Sequence, residues 1–299
     1  MRVLMSGASG LLGAALSQTL EAKGYQVTRL VRHPTTGRPT EILWQPGKPL
    51  DPERVSGFDA VIHLAGESVV GRWTVAKKQR IRDSRVLGTR TLAEAVSRAA
   101  QQPTVFLAAS AIGYYGNRGD EVVDETSASG TGFLAKICVE WEAAAEPVQQ
   151  AGIRLVHTRI GVVLSKNGGA LDKMVLPFRL GLGGRLGSGQ QWMSWIHVED
   201  LVGAMLHILH NESISGPIDL VSPNPVTNAE FTSALGKVLA RPTIFPVPEF
   251  ALRLAMGEMA EEVLLGSQRV MPRRLSISGY GFKFCNLEGA LRNLIGRSA

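Results

Sequence analysis

The sequence predicts an α/β fold, a doubly wound parallel sheet with a small lobe at its C-terminal end. Three observations predict it. An apolar run, Met1-Arg2-Val3-Leu4-Met5, enters a glycine turn, Ser6-Gly7-Ala8-Ser9-Gly10-Leu11-Leu12-Gly13. From there to about residue 165, stretches of strand and helix character alternate, and that βαβ rhythm calls for parallel strands with right-handed crossovers. Beyond Lys166 the rhythm loosens: glycines interrupt residues 168–189 and prolines mark residues 217–248.

The first unit, residues 1–32, reads as strand, turn, helix, strand, the Rossmann-type start of a dinucleotide site. Three glycines in a GxxGxxG spacing, Gly7, Gly10 and Gly13, let the chain turn sharply, let a pyrophosphate approach the main chain and let the helix pack tightly on the sheet. The helix N-terminus then faces the phosphates with unpaired N–H groups and the positive end of its dipole. Leu12, Leu16 and Leu20 give the helix one apolar face, Gly24 is placed to stop it, and residues 25–31 read as a buried strand.

The end of that second strand selects the cofactor. An acidic residue there would bind the adenosine ribose of NAD; this chain has Arg29, Arg32 and His33, with no Asp or Glu between Glu21 and Glu41. A guanidinium suits a 2′-phosphate through charge-assisted bonds, so the expected cofactor is NADP(H), with Arg32 as the main contact.

Further along, residues 58–66 read as a strand running into a small-residue loop and residues 84–100 as a helix with Val86, Leu92, Ala95 and Val96 inward. Residues 104–110 read as a strand, 140–150 as the end of a long helix and 153–164 as another strand. The expected division is a Rossmann domain over residues 1–165, with core strands continuing intermittently to about 225, and substrate-side loops and a small lobe over 166–299.

Composition bounds the function. With 299 residues, 44% hydrophobic and 19% charged, the chain can bury a large core. No stretch approaches the roughly 18 apolar residues of a membrane helix, and Met1 leads straight into the first strand, so a cytoplasmic location and no membrane partner are expected. Cys138 and Cys285 lack metal-site spacing and read as buried or incidental thiols. The net charge of +6 comes from scattered cations; their one tight cluster, Lys77-Lys78-Gln79-Arg80-Ile81-Arg82, reads as a solvated helix face, and an anionic cofactor or substrate explains the surplus better than nucleic acid.

Several motifs carry a family resemblance. Gly7, Gly10 and Gly13, His63-Leu64-Ala65-Gly66, Val86-Leu87-Gly88-Thr89, Ser110 followed by Tyr115-Gly116, and Trp195-Ile196-His197-Val198-Glu199-Asp200-Leu201 resemble the extended short-chain dehydrogenases/reductases, the nucleotide-sugar epimerase/dehydratase group. Leu176-Pro177-Phe178-Arg179-Leu180-Gly181-Leu182-Gly183-Gly184 and Leu265-Gly266-Ser267-Gln268-Arg269-Val270-Met271-Pro272 are similar to its atypical epimerase-family subgroup, which carries a short C-terminal domain of unknown function.

The resemblance implies a site. Ser9, Leu11 and Leu12 would meet the pyrophosphate and nicotinamide ribose through main-chain N–H groups, and Leu64, Ala65 and Gly66 would line the adenosine side. Arg85 matches a cofactor-contacting arginine, Ser110 a hydroxyl that bonds the reacting carbonyl or alcohol, and Lys136 the lysine that holds the ribose and lowers the pKa of a catalytic tyrosine. That tyrosine should stand four residues before the lysine, where this chain has Gly132; Phe133, next to it, has no hydroxyl either. Three readings stay open: a phenol from Tyr114 or Tyr115, a carboxylate such as Glu67, or cofactor binding without catalysis. In the extended families the Tyr115 position usually contacts substrate. His63 and His197 read as structural, Asp124-Glu125 as a loop, and Trp192, Met193 and Trp195 as core or pocket wall. The implied activity is hydride transfer at a carbonyl or alcohol carbon of a small polar or nucleotide-sugar-like molecule lying over residues 113–116, 177–189 and 192–197. The alternative is a non-catalytic NADP(H)-binding sensor or interaction protein. The resemblance also implies a possible homodimer through helices near 84–100 and 133–150.

Overall fold

The computed structural model describes residues 1–33 and 40–296. Its centre is a seven-stranded sheet in the order β11-β7-β5-β4-β1-β2-β3, parallel throughout. In chain order, β1 (Arg2–Ser6) leads through α1 (Leu11–Ala22) to β2 (Gln26–Val31), β3 (Glu41–Leu43) and β4 (Ala60–His63). Then come α2 (Val75–Ser97), β5 (Val105–Ala111), a short β6 (Val122–Val123), α3 (Phe133–Ala143), α4 (Glu146–Gln150), β7 (Arg154–Ile160) and β8 (Val162–Leu164). The remainder comprises α5 (Gly169–Arg179), β9 (Trp192–Met193), β10 (Trp195–His197), α6 (Val198–His210), β11 (Gly216–Leu220), β12 (Val226–Thr227), α7 (Asn228–Leu239), α8 (Glu249–Met256), β13 (Arg269–Val270), α9 (Arg273–Ile277) and α10 (Leu287–Ile295).

The doubly wound arrangement follows from strands that are apolar on both faces. Val3 and Met5 face one way, into a core with Leu16 and Leu20 of α1 and Met205 and Ile208 of α6. Leu4, between them, faces the other way, into a core with Leu92 and Val96 of α2 and Val148 of α4. A third core, around Leu164, Trp195, Phe231 and Leu291, joins β8 and β10 to α5, α7 and α10 and forms the base of the C-terminal lobe.

Three elements depart from the sequence reading. The strand expected over 153–164 breaks at Gly161, where an added Cβ would lie 2.6 Å from the Ser194 carbonyl oxygen; β7 stays in the main sheet, and β8 leaves to pair with β10. The long helix ending at 150 is two helices, with Pro147 accommodated in the first turn of α4. And α2 begins at Val75, where Thr74 caps it by accepting the Lys77 N–H. Apolar spacing could not reveal that first half, because it is carried by charged residues of good helix propensity. Among the described residues, no helix is long and apolar enough to cross a membrane.

Candidate functional site

The glycine turn lies at the C-terminal end of β1, beside the loop that follows β4. Gly7 has φ +71°, and a Cβ there would sit 2.7 Å from the Leu64 carbonyl carbon and 2.8 Å from the Ala65 nitrogen. A Cβ on Gly13 would come within 2.1 Å of the Gly7 oxygen, so both positions admit only glycine. Gly10 differs: its φ is −74°, and the nearest atom to an added Cβ is the Gly7 oxygen at 3.3 Å. Its missing side chain keeps the space above the turn open. The first α-helical bond runs from Ala14 N–H to Gly10 at 2.8 Å, which leaves the preceding N–H groups of Leu11, Leu12 and Gly13 at the positive end of the helix.

A cleft of about 430 Å³ opens on one side of this turn. Gly7, Ser9 and Gly10 form its floor, Leu64, Ala65 and Gly66 one wall, and Arg32, His33 and Trp44 its far end. Behind the wall, the Ser6 hydroxyl and His63 Nδ1 share a hydrogen bond of 2.6 Å; full burial pulls the His63 pKa down to about 4, so the ring is neutral. His63 is thus structural, as expected. Arg85 lies behind Gly66 rather than in the cleft lining: it donates to the Glu67 carbonyl at 2.9 Å and lies over the Trp141 ring, holding the loop's shape. Glu67, a candidate acid/base group, is bonded to Lys77 at 2.7 Å; that bond, with the charges of Lys77, Arg80 and Arg32, holds its carboxyl below the usual range. Arg29 also borders the cleft, with its guanidinium paired to Glu21. Leu12 packs against the core. On the other side of the turn, Ser9, Gly10 and Leu11 border a second cleft with Ser165, Lys166 and His197.

At the C-terminal ends of three neighbouring strands, Ser110, Arg159 and Asp219 stand side by side in register on β5, β7 and β11. Glu142 of α3 accepts the Ser110 hydroxyl at 2.7 Å and two bonds from Arg159, at 2.8 and 2.9 Å. Arg159 also donates to the Tyr115 hydroxyl at 3.1 Å and lies against the Tyr114 ring, while Tyr115 donates to Asp219 at 2.7 Å. Burial works against the Arg159 charge, but the Glu142 pair more than offsets it and raises its pKa. Burial, then the nearby Glu125 carboxylate, pushes Asp219 well above the usual carboxylate range; burial also raises Glu125, which accepts the Asp219 N–H. Asp219 Oδ1 is buried and has no hydrogen-bond partner among the described residues.

This arrangement revises the candidate catalytic residues. Tyr115 is fully buried, its hydroxyl is consumed between Asp219 and Arg159, and burial drives its pKa upward, so it anchors the loop over residues 113–116 instead of offering a proton. Ser110 is 3% exposed and points its hydroxyl at Glu142. Lys136 lies on the exposed side of α3, and its side chain makes no hydrogen bond or ion pair with a described residue, because the neighbours Ala135, Ile137 and Cys138 take the inward face. Gly132, at φ +106°, caps α3, and its open space is taken by Glu262 from the C-terminal lobe, whose carboxylate accepts the N–H groups of Phe133 and Leu134 at 2.7 Å each. Glu262 also borders a pocket of about 160 Å³ with Gly113, Gly116, Asn117 and Gln268.

Sequence reasoning missed Glu142, Arg159, Asp219 and Glu262. Asp219 did leave a signal, a charge inside an otherwise apolar strand; Glu262 left none. His197 is structural, capping α6 through Nδ1 and stacking on Phe284. Trp195 is core, whereas Trp192 is half-buried under Arg269. The cation cluster at the start of α2 is not simply solvated: Lys77 pairs with Glu67, Lys78 with Glu258 and Arg82 with Glu140. Among the described residues, no cluster of His, Cys, Asp or Glu is arranged to hold a metal.

A parallel doubly wound sheet with a glycine cradle after its first strand defines the class, a Rossmann-type α/β protein. Residues 3–220 match the NAD dependent epimerase/dehydratase family, and residues 247–294 match a domain of unknown function, DUF1731. The chain belongs to the NAD dependent epimerase/dehydratase family, as its motifs implied. It is 45% identical over 291 residues to Epimerase family protein MT2273 of Mycobacterium tuberculosis, covering 97% of this chain and 96% of that one. To human Epimerase family protein SDR39U1 it is 37% identical over 299 residues, 99% and 100% of the two chains. A crystal structure of human SDR39U1 (isoform 2) with NADPH superimposes with a TM-score of 0.90 at 36% identity, over 98% of this chain and 99% of that one. A nucleoside-diphosphate sugar epimerase from Corynebacterium glutamicum gives 0.84 at 36% identity, over 99% of this chain and 58% of that longer one.

Proposed function

We propose that this chain binds NADP(H) across the glycine turn and uses it for hydride transfer at a carbonyl or alcohol carbon of a small polar molecule. The observation that carries the reading is the cradle itself: two glycines that no other residue can replace, a third that holds open the space above the helix N-terminus, and an arginine at the far end of the adjoining cleft. Human SDR39U1, similar over the whole chain, was crystallised with NADPH. In this reading the N–H groups of Leu11, Leu12 and Gly13 take the diphosphate, Leu64, Ala65 and Gly66 lie along the adenosine, and Arg32 pairs with the 2′-phosphate. When bound, the nicotinamide supplies or accepts the hydride. Tyr115, held by Asp219 and Arg159, fixes the loop that borders the substrate side, and Ser110 and Glu142 brace it from below.

A second reading, NADP(H) binding without turnover, is favoured by one observation: the place where the family keeps a phenol is occupied by the Gly132 cap and the Glu262 carboxylate. One experiment separates the two. The purified protein is incubated with a metabolite extract and NADPH carrying deuterium at the transferable position, followed by mass spectrometry. Deuterium in a small molecule, absent from the Gly10→Val control, supports an oxidoreductase; none in any molecule supports the binding protein.

A further inference from the structure

The C-terminal lobe holds a second polar cleft, of about 310 Å³, which shares no lining residue with the dinucleotide cleft. Its walls are fixed by main-chain bonds. Val247 N–H donates to Arg185 at 2.8 Å, Gly187 N–H returns to Val247 at 2.9 Å, and Ala229 N–H of α7 reaches Gly189 at 2.8 Å. Two glycines seat the side chains. A Cβ on Gly189 would lie 3.2 Å from Arg185 Cβ and Cδ, so the arginine's stem runs over that glycine; one on Gly236 would lie 2.3 Å from Thr243 Cγ2, so the threonine methyl is pressed onto α7.

What lines the cleft is chemically one-sided. Arg185 contributes a guanidinium that has no carboxylate partner among the described residues, beside the hydroxyl-bearing Thr232, Ser233 and Thr243. Thr232 is only 5% exposed, yet its hydroxyl has no hydrogen-bond partner and is not sealed from solvent, which leaves the cleft as its outlet. Among the described residues, no acid lines the space. Of those on adjoining segments, Glu230 is engaged in the α7 capping box with Thr227, and Glu249 pairs with Arg253. Ile244 and Pro246, both exposed, add an apolar flank.

We propose that this cleft is a binding site for a compact anionic head group, a phosphate or carboxylate, joined to an apolar body. Arg185 pairs with the anion through charge-assisted bonds, the three hydroxyls satisfy its remaining oxygens, and the body rests on Ile244 and Pro246. The proposal is independent of the dinucleotide reading.

The test is an NMR titration of the full chain, with amide shifts of Ser233 and Thr243 as the local readout and inorganic phosphate, acetate and phenyl phosphate as probes. Saturable shifts at both amides are expected. Phenyl phosphate should bind more tightly than inorganic phosphate, and Arg185→Gln should weaken binding about tenfold while Arg185→Lys retains part of it. A phosphate-only or acetate-only response distinguishes the two head groups, and either supports the site. Unshifted amides with all three probes, or equal affinity in Arg185→Gln and wild type, would overturn it. Arg185→Gln should leave the thermal midpoint and the shifts of Gly7 and Gly10 unchanged, which separates this site from anions captured at the dinucleotide turn.

Discussion

Glu262 and Gly132 form a contact across the two parts of the chain: the Glu262 carboxylate caps α3 and lies within 3.0 Å of where a Gly132 side chain would begin. Gly132 is where the family resemblance implies a proton-transfer tyrosine, and the space beside it holds a carboxylate from the C-terminal lobe, which the absence of a side chain admits.

Gly132→Ala should destabilise the fold by about 1–3 kcal/mol, since φ +106° strains any side chain and the new methyl crowds Glu262. Glu262→Ala should cost about 1 kcal/mol through the lost cap. Because the two changes act on one contact, denaturant unfolding of the double mutant should cost less than the sum of the singles. Strict additivity would show that the contact carries no energy.

The Arg159 network makes a pH prediction. Asp219 has a folded-state pKa raised above its unfolded value, so it binds its proton more tightly when folded. Its contribution is fully present below the unfolded carboxylate pKa and is lost as pH rises towards the folded one. Measured against Asp219→Asn, which cannot titrate, wild type should lose relative stability on going from acid to neutral pH. A constant difference across that range would mean that folding does not raise the Asp219 pKa. Removing the cation by Arg159→Leu should cost about 3–5 kcal/mol, because the mostly buried Glu142 carboxylate would lose its cation and keep only the Ser110 hydroxyl.

His63 runs the other way. Its pKa is lowered by burial to about 4, so the neutral ring stabilises the fold above the unfolded value of 6.5, and that stability is lost as pH falls from there towards 4. Urea midpoints of His63→Gln should show a shallower acid limb than wild type. An unchanged limb would place the acid sensitivity elsewhere.

Lys136→Ala should leave NADPH affinity and unfolding midpoint within experimental scatter, because the side chain is exposed and makes no bond with a described residue. A large loss of NADPH affinity, by titration, would return Lys136 to the ribose-binding role that the family resemblance implies.

The N-terminal unit was legible because its physics is local: glycines required by close approach, an apolar strand before them, and leucines four apart after them. The orientation of the other candidates was not local. Whether Lys136 faces in or out depends on the rotation of α3, set by Gly132 at its cap and by Trp141 and Cys138 packing inward, and no spacing rule fixes that rotation. Ser110 lies near the end of β5 and Tyr115 in the turn that follows, but their partners come from β7, β11 and α3, far along the chain. Glu262 lies 130 residues from Gly132, in a stretch with no periodic signal, and only the folded lobe brings the two together.

The most direct test is a fluorescence titration of wild type, Arg32→Asp and Gly10→Val with NADPH and NADH. Wild type should prefer NADPH. Arg32→Asp should lose about tenfold or more in NADPH affinity with little change for NADH, as one attraction becomes a repulsion. Gly10→Val should bind neither nucleotide, since the added side chain fills the space above the turn, where its Cβ meets the Gly7 oxygen at 3.3 Å. Failure of wild type to bind either nucleotide, or normal binding by Gly10→Val, would contradict the account.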